Sequence, residues 1–277
     1  MIERKKFGLA DLDDALKEVG NRIERRVEAF LIGGCAMAYM GSKLSTKDVD
    51  VVLLSEKDVE AFGKALKAAG FNIVRSSAQE HEWLGSQMMF RNAHEMQFDV
   101  FGRTVCRKLE VSSRMASRSR LMKTYGNLEI RLISPEDIFL FKGITERDGD
   151  LDDMALLAQR GLRWDVIKEE CMLQKKRQIW ELFLFVKLEE LEKRHGIRAP
   201  IKQELLRAGG DELVRQIFVS IIGAEEMGFS EISEEMQAKY RYSPSWTRLQ
   251  LNRLEKKGII EKRRSGKRIG YRLRHRG

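Results

Sequence analysis

Between Phe30 and Leu53 short apolar runs are broken by glycine and by evenly spaced carboxylates. Phe30, Leu31 and Ile32 form a brief apolar strand that Gly33 and Gly34 interrupt, Cys35 to Tyr39 is compatible with a helix, and Gly41 is its stop. A second strand follows. Val49, Val51 and Leu53 take one face of it and Asp48 and Asp50 the other, because strand residues two apart share a side. Met96 to Phe101 repeats the pattern, with Phe98 and Val100 alternating with Gln97 and Asp99, so Asp99 is expected on a polar face that the first pair shares. Further on, Ser134-Pro135-Glu136-Asp137 reads as a helix start: Ser at the N-cap, Pro in the first turn and acids beside the positive helix end. Ile138, Phe139 and Phe141 are the apolar stripe of that helix, and Lys142 lies near its second turn, where position alone makes it a solvated residue.

The second half of the chain changes period. Gln174 to His195 carries Ile179, Trp180, Leu182, Phe183, Val186, Leu188 and Leu191, a broad apolar face that needs a partner, and Gly196 to Pro200 ends it as a hinge. Asp211 to Ala224 and Ser230 to Lys239 read as two amphipathic helices. After a turn at Tyr240 to Tyr242, Ser243-Pro244 starts a third, with Trp246, Leu249, Leu251 and Leu254 as its apolar positions and Gly258 as its stop. Ile259 to Arg264 and Arg268 to Leu273 then flank a Ser265-Gly266 turn as a cation-rich hairpin.

At 277 residues the chain has room for two or three domains. Three scattered cysteines, Cys35, Cys106 and Cys171, give no disulfide framework or zinc motif and point to a reducing, cytoplasmic setting; His81, His94, His195 and His275 lack metal-ligand spacing. The charged start at Met1 to Lys6 leads into no apolar signal region, and no run approaches the roughly 20 residues of a membrane span. The net charge of +9 is uneven: from Tyr240 onward, 13 Lys or Arg face only Glu255 and Glu261, so this tail is +11 and the rest is near −2. A second basic stretch, Arg103 to Arg131, holds Arg107, Lys108, Arg114, Arg118, Arg120 and Lys123; it could steer an anion toward a site or be a solvated loop.

The chemistry lies in the first segment. Glycines at a helix start let backbone amides approach a phosphate, and two carboxylates on one strand face repel unless a cation joins them. Hard oxygen ligands of this kind suit Mg²⁺ or Mn²⁺, and a pair of such ions clamps the attacking and leaving oxygens of a phosphoryl-type displacement. Asp99 is the candidate third carboxylate. A lone Gly-Gly is usually a turn and a lone Asp-x-Asp a solvated edge, but their order here, strand, Gly-Gly, helix, Asp-x-Asp strand, single-Asp strand, favours a site.

These residues resemble the nucleotidyltransferase superfamily of polymerase-β-like fold, and within it the minimal or antitoxin-type enzymes. The likeness rests on Gly33, Gly34, Ala36, Gly41, Thr46, Asp48 and Asp50, on Asp99, and on the segment from Ser134 to Asp153, and covers about the first 170 residues. It implies transfer of a nucleoside monophosphate from a nucleoside triphosphate to a hydroxyl of RNA or protein, within a toxin–antitoxin or stress-response system. Asp48 and Asp50 would hold both metal ions, Asp99 would bind the ion nearest the nucleophile, Gly33 and Gly34 would cradle phosphates, and Lys142 would face the triphosphate. Cys35 stands where many members have a phosphate-binding Ser, which leaves more of the binding to backbone amides.

The tail resembles the winged helix-turn-helix family over some 65 residues. In that likeness Arg248, Gln250, Asn252 and Arg253 on the third helix face a DNA major groove, and Arg263, Arg264, Lys267 and Arg268 on the wing meet phosphates, as DNA or RNA ligands both allow. Specific DNA binding through one reading helix favours a homodimer, and a winged helix used for protein contact is the other option. The expected architecture is an α/β (α+β) nucleotidyltransferase domain with a mixed sheet over residues 1–170, a helical connector over 171–205 and a winged helix over 206–277. The alternative function is a DNA-binding regulator or antitoxin with a non-catalytic nucleotidyltransferase-like domain.

Overall fold

A computed structural model describes residues 5–74, 88–106, 108–145, 149–174, 178–223, 226–265 and 268–274, with Ser265 and Arg268 given by backbone alone. The protein is an α/β chain with a mixed sheet and several helices, divided into two compact units, Met1–Lys202 and Gln203–Gly277.

The first unit is built on β1 (Val27–Leu31), β2 (Asp48–Val52), β3 (Asn72–Ile73), β4 (Met88–Arg91), β5 (Gln97–Phe101), β8 (Arg120–Tyr125) and β9 (Leu128–Leu132), ordered β3-β4-β5-β2-β1-β9-β8. β6 (Thr104–Val105) and β7 (Leu109–Glu110) form a separate small hairpin. β2 lies at the centre, antiparallel to β1 and parallel to β5, with Asp48 opposite Gln97 and Asp50 opposite Asp99. The apolar strand residues explain this placement. Val49, Val51, Phe98 and Val100 are fully buried, and Phe71 meets Phe98 edge-on at 5.1 Å between ring centres.

Helix α1 (Leu9–Gly20) buries Leu12, Leu16 and Val19 and touches α3 (Glu56–Ala68), while α2 (Gly33–Tyr39) packs on β2. α2 starts at Gly33, two residues earlier than its apolar pattern predicts, and Gly41 ends it at φ +68°. After α4 (Ser113–Arg118), α5 (Pro135–Ile144) begins as expected, with the Ser134 hydroxyl accepting from the Asp137 amide at 3.2 Å. α5 packs on α6 (Asp150–Ala158), α7 (Trp164–Leu173) and α8 (Trp180–His195). A Cβ on Gly143 would lie 2.6 Å from the Leu184 methyl, so a larger residue there would force the buried Leu184 side chain to shift between α5 and α8. α8 buries Trp180, Leu184, Leu188 and Leu191 and leaves Phe183 and Val186 exposed, a narrower apolar stripe than the sequence predicts.

The second unit contains α9 (Lys202–Ile222), β10 (Met227–Gly228), α10 (Phe229–Tyr240), α11 (Pro244–Lys256), β11 (Ile260–Ser265) and β12 (Arg268–Leu273), its sheet ordered β10-β12-β11. α9 starts well before the predicted Asp211, because Leu205 and Gly209 are already buried. Phe218, Ile222, Ile232, Met236, Leu251, Leu254, Ile260 and Tyr271 form its core. The Ser243 hydroxyl caps α11 by accepting from the Trp246 amide at 3.2 Å, and Trp246 stacks on Tyr242 at 3.9 Å.

Candidate active site and basic helix face

In the first unit, β2, the start of α2, α5, α6 and the β6–β7 hairpin surround a cleft of about 370 Å³. Gly33 and Gly34 form one wall with Asp48 and Asp50; Phe101, Val105, Leu109, Ile138 and Phe141 give an apolar side; Lys6, Lys43, Lys47, Lys108 and Lys142 contribute cations. Asp150 and Asp153 also line the cleft, so five lysines face four carboxylates, a nearly balanced polar wall opposite an apolar side that suits a ligand with both anionic and apolar parts.

Gly33 and Asp50 fit each other. Gly33 adopts φ +60°, and a Cβ there would collide with the Asp50 carboxylate. Gly34 is nearly as constrained, since its Cβ would sit 3.0 Å from the Thr46 hydroxyl, which itself donates to the Asp48 carbonyl at 3.0 Å. No side chain caps α2. Cys35 departs from the expected role: it is fully buried and lies outside the cleft lining, and burial, with the charges of Asp50 and Asp13, pushes its thiol far up.

Asp99 is adjacent to Asp50 through the parallel register, but it does not sit on an open polar face. All five β5 residues are buried; Asp99 is 3% exposed, outside the cleft lining, and its Oδ1 accepts from Gln97 Nε2 at 2.7 Å. Both faces of this inner strand are covered, so alternation of polar and apolar residues does not expose the polar ones. Asp48 and Asp50 are only part-buried and open on the cleft, and their hard oxygens two residues apart suit one divalent ion. Among the described residues no group of three or more His, Cys, Asp or Glu side chains is disposed to hold a metal.

Lys142 lines the cleft, and it is not a solvated helix residue. Its Nζ pairs with Asp150 Oδ1 at 2.7 Å and Asp153 Oδ2 at 2.9 Å, and Asp153 also pairs with Lys43 at 2.5 Å. Burial lowers the Lys142 pKa, but the two carboxylates outweigh it and raise it above its ordinary value. Asp150 further accepts from the Thr145 hydroxyl at 2.5 Å. Lys43, Lys47 and Lys6 were not apparent as cleft residues from the sequence; the available signal was a lysine on either side of Ser45-Thr46 just before Asp48.

The basic stretch divides. Lys108 enters the cleft lining and donates to the Ile144 carbonyl at 3.0 Å. Arg118 instead bridges the buried Asp137 and Glu170, the latter at 2.8 Å; Arg114 pairs with Glu169 and Lys123 with Asp13, while Arg107 lies outside the described residues. Among the described residues of this stretch Arg118 is tied into a buried cluster, Arg114 and Lys123 make partly exposed pairs, Arg120 is exposed, and Lys108 lies where a steering cation would.

In the second unit α11 buries Thr247, Gln250, Leu251 and Leu254, an i, i+3, i+4, i+7 stripe. Gln250 is 7% exposed, so it does not share the outer face with Arg248, Asn252 and Arg253, which are exposed, and Leu249 belongs to that face at 50% exposure. Arg263 and Arg264 are exposed on β11, Arg263 pairing with Glu261 at 3.0 Å; Lys267 and the Arg268 side chain lie outside the described residues. No helix among the described residues is long and apolar enough to cross a membrane.

Compared with models of known protein families the chain matches none, and no curated protein matches it.

Proposed function

We propose that the chain is a metal-dependent nucleotidyltransferase of polymerase-β-like fold that moves a nucleoside monophosphate from a nucleoside triphosphate to a hydroxyl, and that its second unit is a winged helix-turn-helix that contacts nucleic acid. One observation carries the enzymatic reading: Asp50 packs against the α-carbon of Gly33, stands in register with Asp99 and opens on a cleft lined by five lysines. The left-handed backbone at Gly33 accounts for the glycine by itself, so the weight of the reading rests on Asp50 standing beside Asp99, since adjacent carboxylates repel unless a cation or proton joins them.

In this reading the acceptor hydroxyl gives up its proton to solvent as its oxygen bonds to the α-phosphorus, the α–β phosphoanhydride breaks, and pyrophosphate leaves with the electron pair. Gly33 and Gly34 admit the phosphates close to the backbone, Lys47 adds positive charge at the cleft, and the Phe101, Leu109 and Phe141 side suits a base or ribose. Lys43 and Lys142 meet the triphosphate only by exchanging their Asp150 and Asp153 partners. Asp48 and Asp50 are the residues that would hold Mg²⁺ or Mn²⁺, and Asp99, opposite Asp50 on the neighbouring strand, would join them only by giving up its bond from Gln97. When bound, such an ion neutralises the triphosphate and makes the acceptor hydroxyl a better nucleophile.

A second reading is favoured by the burial of Asp99 and its hydrogen bond from Gln97: a nucleic-acid-binding regulator whose first unit binds nucleotide without transferring it. Incubation with Mg²⁺ and each labelled triphosphate, with cellular RNA or lysate as acceptor, separates the two. Transfer that Asp48→Asn and Asp50→Asn abolish supports the enzyme, and nucleotide binding without transfer supports the regulator.

A further inference from the structure

On the basis of the nucleic-acid role proposed above for the second unit, we infer that Leu249, exposed on the outer face of α11, sets base preference on duplex DNA through an apolar contact with a thymine 5-methyl group.

The second unit is electrically polarised along its chain. Residues 203–239, covering most of α9 and α10, carry three Lys or Arg against eight Asp or Glu, a net −5, whereas residues 240–277, with α11 and the hairpin, are +11. A polyanion therefore favours the α11 and hairpin side. Most of the exposed α11 side chains suit that ligand: Ser245, Arg248, Asn252, Arg253 and Lys256 are polar or cationic.

Leu249 is the exception. It is half exposed in the middle of this face, between Arg248 and Asn252, and it flanks with them a shallow depression that Phe229, Pro244 and Ser245 complete. Phosphates would be served better by another cation here. A leucine among hydrogen-bonding side chains instead matches a base edge with a methyl group, and in the major groove only thymine offers one. The neighbouring groups fit the same use. The Arg248 guanidinium lies over the Phe229 ring at 4.0 Å from its centre, which limits its freedom, and Asn252 is one turn away. Arg suits the N7 and O6 of guanine and Asn the N6 and N7 of adenine, so the three side chains form a base-reading row. RNA is a poor match, because uracil lacks the methyl and the A-form major groove is too narrow for a helix.

The test uses the full-length chain. Duplexes are selected from a randomised DNA library, with a randomised RNA pool in parallel, and each thymine of the selected duplex is then replaced by uracil. At one or more positions the replacement should weaken binding roughly fourfold, the value of one methyl-sized apolar burial. Leu249→Ala, at a half-exposed site, should fold normally, bind the thymine duplex about as weakly as wild type binds the uracil one, and no longer distinguish the two. Selected duplexes that bind equally with thymine or uracil throughout would overturn the role of Leu249 and leave the nucleic-acid role standing. Discrimination that persists unchanged in Leu249→Ala would also overturn it. Enrichment of neither pool would remove the nucleic-acid role itself, and enrichment of RNA alone would overturn the choice of duplex DNA.

Discussion

Replacing Lys142 by methionine keeps most of its unbranched length and removes its charge. Lys142, Asp150 and Asp153 have side chains 15%, 2% and 7% exposed, so the change leaves two buried carboxylates without the cation between them. Breaking a buried pair by removing one partner costs about 3–5 kcal/mol. The lower end applies here, about 3 kcal/mol, because Asp153 keeps Lys43 at 2.5 Å and Asp150 keeps the Thr145 hydroxyl at 2.5 Å. A solvated lysine would instead contribute no more than about 1 kcal/mol. Urea unfolding followed by tryptophan fluorescence measures the loss, in a Trp246→Phe background so that the signal comes from the first unit. Adding Asp150→Asn to Lys142→Met should recover part of the loss by removing an uncompensated charge. A loss below about 1 kcal/mol, or no recovery in the double variant, would refute the buried ion-pair account.

Other substitutions test neighbouring parts of the molecule. Gly33→Ala forces alanine into a left-handed backbone worth about 1–2 kcal/mol and displaces the Asp50 carboxylate, so denaturation should show at least that loss and label transfer should vanish; Gly34→Ala, facing the Thr46 hydroxyl at 3.0 Å, should be milder. Arg118→Met strands Asp137 and Glu170, 1% and 2% exposed, and should cost about 3–5 kcal/mol in urea unfolding while nucleotide binding at low temperature stays unchanged. Burial raises the Asp13 pKa, but hydrogen bonds from Lys123, Tyr39 and Tyr125 outweigh it and leave the carboxyl below its ordinary value. Its contribution is therefore present above the ordinary carboxylate range and lost as pH falls through the folded value, and Asp13→Asn should flatten that acid limb of a stability-against-pH curve.

Local signals in the sequence were enough to read much of this molecule. The apolar strand, double glycine and alternating Asp-Val-Asp give β1, α2 and β2, and the Ser134 and Ser243 caps mark two helix starts, since each depends on residues adjacent in the chain. The misses in the site and on α11 come from packing between elements. The buried stripe of α11 runs through Thr247 and Gln250, which carry little apolar signal, so the predicted face was turned and Leu249 was placed inside. Asp99 looked open because alternation reports one covered face, whereas β5 is covered on both. Lys43 and Lys142 find Asp153 across different elements, and Arg118 finds Asp137 and Glu170 the same way, partnerships that a charge count along the chain does not contain.

The central claim concerns which bond in the triphosphate breaks. Parallel reactions with triphosphates labelled at the α- or the γ-phosphate, with Mg²⁺ and a cellular acceptor pool, test it most directly. Nucleotidyl transfer at Asp48 and Asp50 predicts α-label in the acceptor, γ-label released as pyrophosphate, and neither event in Asp50→Asn. Transfer of γ-label to the acceptor, or no label transfer from any nucleotide, would contradict it.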